Sequence, residues 1–372
     1  MNDSKSICLV GGEDAHKRTE LAQHLIQNGF DVTILGTKKF ECPNNINLIV
    51  YRLNRKFNPL SDIKTVLEYR EILRQKDFDI VQTFDTKPAF LLPLATMGMK
   101  IKIARTVTGL GTIFMSNSIK FIAFRSFYKI LHRIVKNKVS HTTFQNEDDH
   151  NYFLSQNLVT LQNSSLIFGS GINLKKFSIS NITKKEPFTF VCVARLVYEK
   201  GIVNYLEAAK LCFEQGHHYK FLLIGPLEEE SKKLNLKMLE EYSKYITWLG
   251  ARKDVQELLS KSNVFVLPTF REGFSRVLLE ASAMGLPSIT TNVPGTREII
   301  RDGQEGLLVG VNDSEELSKA MIKMASDTNL YSSCSRNAQQ HVQQFSINQI
   351  SKDYINLYKK IIKNKLEPVL TH

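Results

Sequence analysis

Two glutamates with seven residues between them, Glu272 and Glu280, stand in the run Phe270-Arg271-Glu272-Gly273-Phe274-Ser275-Arg276-Val277-Leu278-Leu279-Glu280-Ala281. Fixed carboxylates can accept hydrogen bonds from hydroxyl groups or balance a positive charge. Upstream, Asn263-Val264-Phe265-Val266-Leu267-Pro268 is apolar and partly β-branched, and reads as a buried parallel strand. Downstream, Ser275 suits an N-cap, and Val277, Leu278, Ala281 and Met284 keep helical spacing until Gly285-Leu286-Pro287 ends it. Glu272 is therefore expected in a loop at the carboxyl end of a strand, with Glu280 inside the following helix. In open α/β sheets that position binds ligands. The amides of Gly273, Phe274, Ser275 and Arg276 are expected to be free to face an anion, helped by the helix dipole.

Arg195 and Lys200 flank the loop after another expected strand, and Gly201 opens the next helix. An arginine fork and a lysine point charge beside a helix N-terminus suit a diphosphate, and electrostatic help to its departure needs no metal. Gly250, in Trp248-Leu249-Gly250-Ala251-Arg252, ends a strand at the same edge. In the N-terminal half Gly12 follows the first strand and lets backbone approach a phosphate; the run Gly11-Gly12-Glu13-Asp14-Ala15-His16 is not GxGxxG, which counts against a dinucleotide enzyme. Asp85 in Gln82-Thr83-Phe84-Asp85-Thr86-Lys87-Pro88 is also at a strand end, and reads either as a general base or as a loop carboxylate or helix cap. Lys87 beside it could meet an acceptor phosphate. Asp77-Phe78-Asp79 falls between a helix end and a buried strand and reads as a solvated strand entry rather than a metal site. The histidines form no HExxH, and the five cysteines form no CxxC, so neither a zinc site nor a disulfide framework is expected.

The elements that must position these residues alternate as strands and helices. Expected strands cover 6–10, 31–35, 46–51, 79–83, 101–106 and 140–144, with helices over 16–28 and 61–76. The rhythm restarts with strands at 188–194, 219–224 and 246–249 and helices at 202–215, 231–242, 255–260, 315–325 and 347–363. A βαβ rhythm of this kind implies parallel, doubly wound sheets. The predicted architecture is α/β, with two Rossmann-like domains facing across a cleft, 1–168 and 169–346, and a final helix in 347–372.

The net charge of +12 is unevenly placed: from Thr86 to Asn146 there are ten basic residues and no acidic one. Ser118 to Lys138 reads as a helix in which Arg125, Lys129 and Arg133 alternate with Phe121, Phe124, Phe127 and Tyr128. Such a helix suits an anionic bilayer surface; equally, its apolar face could fill the domain core. No nucleic-acid module accompanies the charge. The start of the chain runs straight into a strand without a signal peptide, so a cytoplasmic location is expected.

The paired glutamates, with Gly285-Leu286-Pro287 and Val293-Pro294-Gly295-Thr296-Arg297-Glu298 after them and Arg195-Leu196-Val197-Tyr198-Glu199-Lys200-Gly201 before them, resemble the signature of the retaining GT-B glycosyltransferases. The resemblance covers most of the chain and is strongest from about 168 to 308. It implies a nucleotide-sugar substrate, no cofactor, and phosphate binding by Arg195 and Lys200. Glu280 would hold the ribose hydroxyls, Glu272 would lie near the transferred sugar, and Gly250 would sit in the base-binding loop. It also implies that the last helix crosses back to the N-terminal domain. One departure stands out: where many members carry a loop histidine, this sequence has Thr106-Val107-Thr108-Gly109-Leu110-Gly111, and Thr108 is no base near neutral pH. In a front-face retaining reaction the leaving phosphate can take the acceptor's proton instead. The Gly109 loop, Phe144-Gln145-Asn146-Glu147-Asp148-Asp149 and Gly171-Ile172-Asn173-Leu174-Lys175-Lys176-Phe177 narrow the resemblance to bacterial enzymes that extend lipid-linked saccharides for O-antigen, capsule or protein glycosylation. The expected acceptor is then an undecaprenyl diphosphate-linked saccharide, reached by a peripheral enzyme at the inner face of the cell membrane. A UDP-N-acetylglucosamine 2-epimerase of the same fold and a non-catalytic membrane-surface scaffold are the alternatives.

Overall fold

A computed structural model of the chain describes residues 4–54, 58–111, 114, 118–177, 186–228 and 234–363. The chain divides into two compact units: Met1–Gly171 with Ile347–His372, and Ile172–Ser346. Each is built on one parallel sheet, and each sheet is doubly wound.

In the first unit the strands are β1 (Lys5–Val10), β2 (Phe30–Gly36), β3 (Asn47–Val50), β4 (Ile80–Thr83), β5 (Lys102–Val107), β6 (Val139–Phe144) and β7 (Ser164–Leu166). Their spatial order is β3-β2-β1-β4-β5-β6-β7, all parallel. The winding reverses between β1 and β4, which places a topological switch point there. Helix α1 (Thr19–Gln27) and the returning α12 (Ile347–Lys363) cover one face, where Ile350, Tyr354, Leu357 and Tyr358 join Ile7, Leu9 and Ile34 in a single core. On the other face α2 (Pro59–Gln75) packs on α3 (Pro88–Ala95), and α3 packs on α4 (Ile119–Val135). Helix α5 (Glu147–Ser155) sits on β6 and β7. Strand positions are buried on both faces, as expected for a sheet covered by helices on both sides.

The second unit repeats the plan with β8 (Thr189–Val193), α6 (Ile202–Glu214), β9 (Lys220–Ile224), α7 (Leu236–Glu241), β10 (Thr247–Trp248), α8 (Val255–Ser260), β11 (Val264–Leu267), α9 (Arg276–Ala283), β12 (Ser288–Thr291), β13 (Gly306–Val309), α10 (Ser314–Ser326) and α11 (Thr328–His341). Strand order is β10-β9-β8-β11-β12-β13, so this sheet reverses between β8 and β11. The helix expected over 231–242 is described only as α7; positions 229–233 lie outside the described residues.

Asp79 is a strand-entry residue. Its carboxylate accepts from the Ser6 amide at 2.9 Å, tying β4 to β1, while Phe78 is buried between the two aspartates.

Candidate functional site

In the second unit, four strand ends bring the expected residues to one edge. Arg195 and Lys200 follow β8, Gly225 follows β9, Gly250 follows β10, and the Phe270–Ser275 loop follows β11. The Gly225 amide donates to the Gly250 carbonyl at 2.8 Å, and Leu249 to Leu223 at 2.9 Å, so the Gly250 loop extends the strand ladder at that edge. At the switch point itself the loops after β8 and β11 are tied together. Phe270 N–H donates to the Glu199 carbonyl at 2.8 Å, the Thr269 hydroxyl donates to the same carbonyl at 3.1 Å, and the Tyr198 and Phe270 rings meet edge to face.

That tie needs a glycine at 201. Its φ is +66°, and a Cβ there would lie 1.8 Å from the Pro268 carbonyl oxygen. The opposite side of the Glu272 loop is held in the same way. The Glu272 amide donates to Pro294 at 3.2 Å, the Ser275 amide donates to Gly295 at 3.0 Å, and a Cβ on Gly295 would lie 2.7 Å from the Glu272 carbonyl. The consequence is an ion pair across 72 residues of sequence. Lys200 Nζ lies 2.5 Å from Glu272 Oε1, with the side chains 22% and 13% exposed. Arg195 is by contrast 60% exposed and only loosely paired, 3.7 Å from Glu228.

Glu280 is 15% exposed on α9, and Arg276 one turn earlier donates to it at 3.1 Å. From sequence alone the Arg276 side chain has no assigned role, although its i, i+4 spacing to Glu280 is the signal for such a pair. Ser275 is the N-cap of α9 but makes no side-chain cap bond. Its amide is not free to face an anion, contrary to expectation: the Gly295 carbonyl already takes it. Phe274 is turned to the Phe345 ring, 5.2 Å away and edge to face.

In the first unit the switch point between β1 and β4 joins Gly12 to Asp85. The Gly12 amide donates to Asp85 Oδ2 at 2.5 Å, so this amide serves Asp85 rather than standing open to a phosphate. The pair lines a pocket of about 250 Å³ with Glu13, Thr37, Lys87 and Thr108. Lys87 is not an open cation; its ammonium lies 2.6 Å from Asp62, and both side chains are largely buried. The Gly109 loop is fixed from α5, where the fully buried Asp149 accepts from the Leu110 amide at 3.1 Å and from Asn146 at 3.1 Å. The sequence assigns Asp149 no role; its place three residues after Asn146, in the first turn of a helix, is the available signal.

Helix α4 is mounted with its apolar residues outward. Tyr128, His132 and Val135 face the sheet, and Ile119, Ile122, Phe124, Phe127, Ile130 and Ile134 are 42–87% exposed. Beneath it Arg105 of β5 is fully buried, donating to Thr142 at 3.0 Å and to His132 Nδ1 at 2.7 Å. Burial pulls the Arg105 guanidinium down to about 10, leaving it charged at neutral pH. Burial first, and then Arg105, hold His132 well below its ordinary range, so a neutral ring accepts a hydrogen bond from the arginine N–H. A polar contact thus occupies the inner face of α4. Of the three cations expected at a membrane, Arg125 and Lys129 turn partly inward: Arg125 lies over the Phe114 ring and Lys129 lies 3.3 Å from Gln156. Arg133 is exposed, as are Lys136 and Lys138 beyond the helix end.

Two family models match the chain. Residues 173–341 match "Glycosyl transferases group 1", and residues 6–146 match "Glycosyl transferase 4-like". The chain belongs to the group 1 glycosyltransferases, a retaining family. Among relatives, an N,N'-diacetylbacillosaminyl-diphospho-undecaprenol alpha-1,3-N-acetylgalactosaminyltransferase of Campylobacter jejuni is 28% identical over 86% of this chain and 87% of its own. The capsular polysaccharide biosynthesis glycosyltransferase CapM of Staphylococcus aureus is 26% identical over 97% of this chain and 96% of its own. A solved sucrose-phosphate synthase from Thermosynechococcus elongatus, 19% identical, superposes with a TM-score of 0.82 over 96% of this chain and 99% of that one. Solved structures of this kind carry the GT-B fold, and this glycosyltransferase has it. Among its described residues no group of three or more His, Cys, Asp or Glu side chains is placed to hold a metal ion, and no helix is long and apolar enough to cross a membrane.

Proposed function

We propose that this glycosyltransferase moves a hexose or N-acetylhexosamine, with retention, from a UDP-linked donor to an undecaprenyl diphosphate-linked saccharide at the inner face of the cell membrane. The observation that carries the donor side is the Lys200–Glu272 pair at the β8/β11 switch point. A cation and a carboxylate there meet the two halves of a nucleotide sugar, the diphosphate and the sugar hydroxyls. Arg195, exposed and loosely paired, swings to the diphosphate; with Lys200 it stabilises the charge that builds on the departing nucleotide. Gly273 and Phe274 border the sugar, and Gly250 leaves room for the base. Glu280, held by Arg276, accepts from the ribose hydroxyls. The departing phosphate takes the acceptor hydroxyl's proton; Asp85, which lines the first unit's pocket, is the alternative base.

Glu280→Ala is expected to weaken UDP binding roughly 10- to 100-fold, the loss of one or two hydrogen bonds to a charged group. Calorimetry with UDP checks this; unchanged affinity would remove the ribose assignment. Incubating the protein with a panel of nucleotide sugars and a bacterial lipid extract, followed by mass spectrometry of the lipid-linked products, tests the reaction as a whole. One hexose or N-acetylhexosamine added to a polyprenyl diphosphate saccharide is the expected product.

The outward face of α4 supports the membrane side of the reading, together with Leu60, Ile63 and Leu67 of α2, which are 58–75% exposed in the same helical layer. Six large apolar side chains edged by Arg133, Lys136 and Lys138 match an anionic headgroup layer, where each cation contributes about 1 kcal/mol. Replacing Arg133, Lys136 and Lys138 together with Glu is expected to release the protein from phosphatidylglycerol vesicles at physiological salt in a sedimentation assay. Retention of the variant on those vesicles would reduce α4 to a structural helix.

A further inference from the structure

We propose that Glu272 is an internal competitor for Lys200, and that exchange of this lysine between Glu272 and the donor's diphosphate lets the site prefer a nucleotide sugar over the spent nucleotide. The inference rests on the donor reading above and adds a specificity-determining role for Glu272.

The geometry carries it. The ammonium of Lys200 and the carboxylate of Glu272 are 2.5 Å apart, and both side chains are mostly buried. That contact takes one of the ammonium's three N–H donors and balances its charge, so a diphosphate competes with the carboxylate for the lysine. The backbone on both sides is already fixed: Glu199 O receives Phe270 and Thr269, Pro294 O receives Glu272, and Gly295 O receives Ser275. The exchange is therefore one of side-chain rotamers, with no loop movement required. Arg195, more than half exposed and 3.7 Å from Glu228, has no comparably close carboxylate among the described residues.

Once Lys200 turns to the diphosphate, Glu272 is a largely buried carboxylate without its cation, and such a group is costly unless it finds other donors. Sugar hydroxyls are such donors, and UDP alone brings none. A nucleotide sugar thus satisfies both halves of the broken pair, whereas UDP satisfies one. After transfer the sugar has left, Glu272 recovers Lys200, and the exchange works to expel the nucleotide.

Glu272→Gln keeps the shape of the side chain and removes the competing charge. UDP is expected to bind this variant roughly tenfold more tightly than it binds the unaltered protein, the worth of one charge-assisted hydrogen bond. The preference for UDP-sugar over UDP should shrink by a similar factor. In a Lys200→Ala background the same Glu272→Gln change should leave UDP affinity unmoved, because there is no lysine to compete for. Unchanged UDP affinity in the single variant overturns the exchange and leaves the donor reading in place. So does a gain that persists without Lys200, which would mean plain charge repulsion. If neither the unaltered protein nor the variant binds UDP at millimolar concentration, the donor reading itself fails. A second measurement avoids the variant's fold: with lysines 13C-methylated and the Lys200 resonance assigned by Lys200→Arg, that resonance should shift on UDP addition, and an unmoved one overturns the exchange.

Discussion

Lys200→Ala is expected to lower the turnover of sugar transfer at least about 100-fold, the usual cost of losing one charge-stabilising donor in a transition state. The effect should be larger on kcat than on the binding of intact donor, because negative charge on the nucleotide grows as the glycosidic bond breaks. The variant also leaves Glu272 largely buried without its cation, which is destabilising in its own right. Thermal unfolding and turnover must therefore be measured together. A variant that keeps its fold and loses no more than a few-fold in kcat would take Lys200 out of the chemistry. Arg195→Ala should show a smaller loss, since its head group is exposed and screened by solvent.

Gly201→Ala is expected to destabilise the second unit by about 3 kcal/mol or more. The added Cβ would stand 1.8 Å from the Pro268 carbonyl oxygen, and the residue would keep a left-handed φ of +66° that side chains other than glycine tolerate poorly. Both burdens fall where the β8 and β11 loops are tied, so the site should loosen along with the fold. The chain's single tryptophan provides the readout. Trp248 lies in β10 of the same unit and donates from Nε1 to the Gly225 carbonyl at 3.0 Å. Urea unfolding followed by tryptophan fluorescence should show the transition moving to lower denaturant. A midpoint equal to that of the unaltered protein would mean that the backbone relaxes around the methyl group at no cost.

The sequence made the strands legible where they are apolar on both faces, as with Ile7 to Val10 and Val264 to Leu267, because parallel strands covered on both sides read as continuous apolar runs. Strand β12 did not declare itself. Ser288-Ile289-Thr290-Thr291 looks like a polar loop, yet it is fully buried, with the hydroxyls of Thr290 and Thr291 satisfied by the carbonyls of Leu267 and Thr269. Helix α3 was hidden for the opposite reason. Pro88-Ala89-Phe90-Leu91-Leu92-Pro93-Leu94-Ala95 has no polar face because it is packed between α2 and α4, so it carries no helical period. Helix α4 was legible as a helix, but not in its orientation, because its inner face meets partners distant in sequence, Arg105 against His132 and Phe153 against Tyr128.

The site followed the same rule. Local signals reached Glu272, Glu280, Arg195 and Lys200, since each sits beside a strand end or helix start that the sequence marks. Their pairing was out of reach, because Lys200 meets Glu272 only through the order in which β8 and β11 lie in the sheet. The same holds for Gly12 and Asp85 across β1 and β4. Two doubly wound sheets, each with chemistry-bearing side chains at its reversal, are what place these groups, and strand order is a tertiary property.

The most direct test follows the anomeric carbon. The protein, with EDTA present, would be given UDP-sugar labelled with 13C at C1 and an undecaprenyl diphosphate-linked saccharide, and the reaction read by NMR. The donor's C1 signal should convert to that of an α-linked glycoside on the lipid-linked product, with UDP released in equal amount. Conversion of the donor to its 2-epimer without acceptor, release of free sugar alone, or a β-linked product would contradict retaining transfer by this chain.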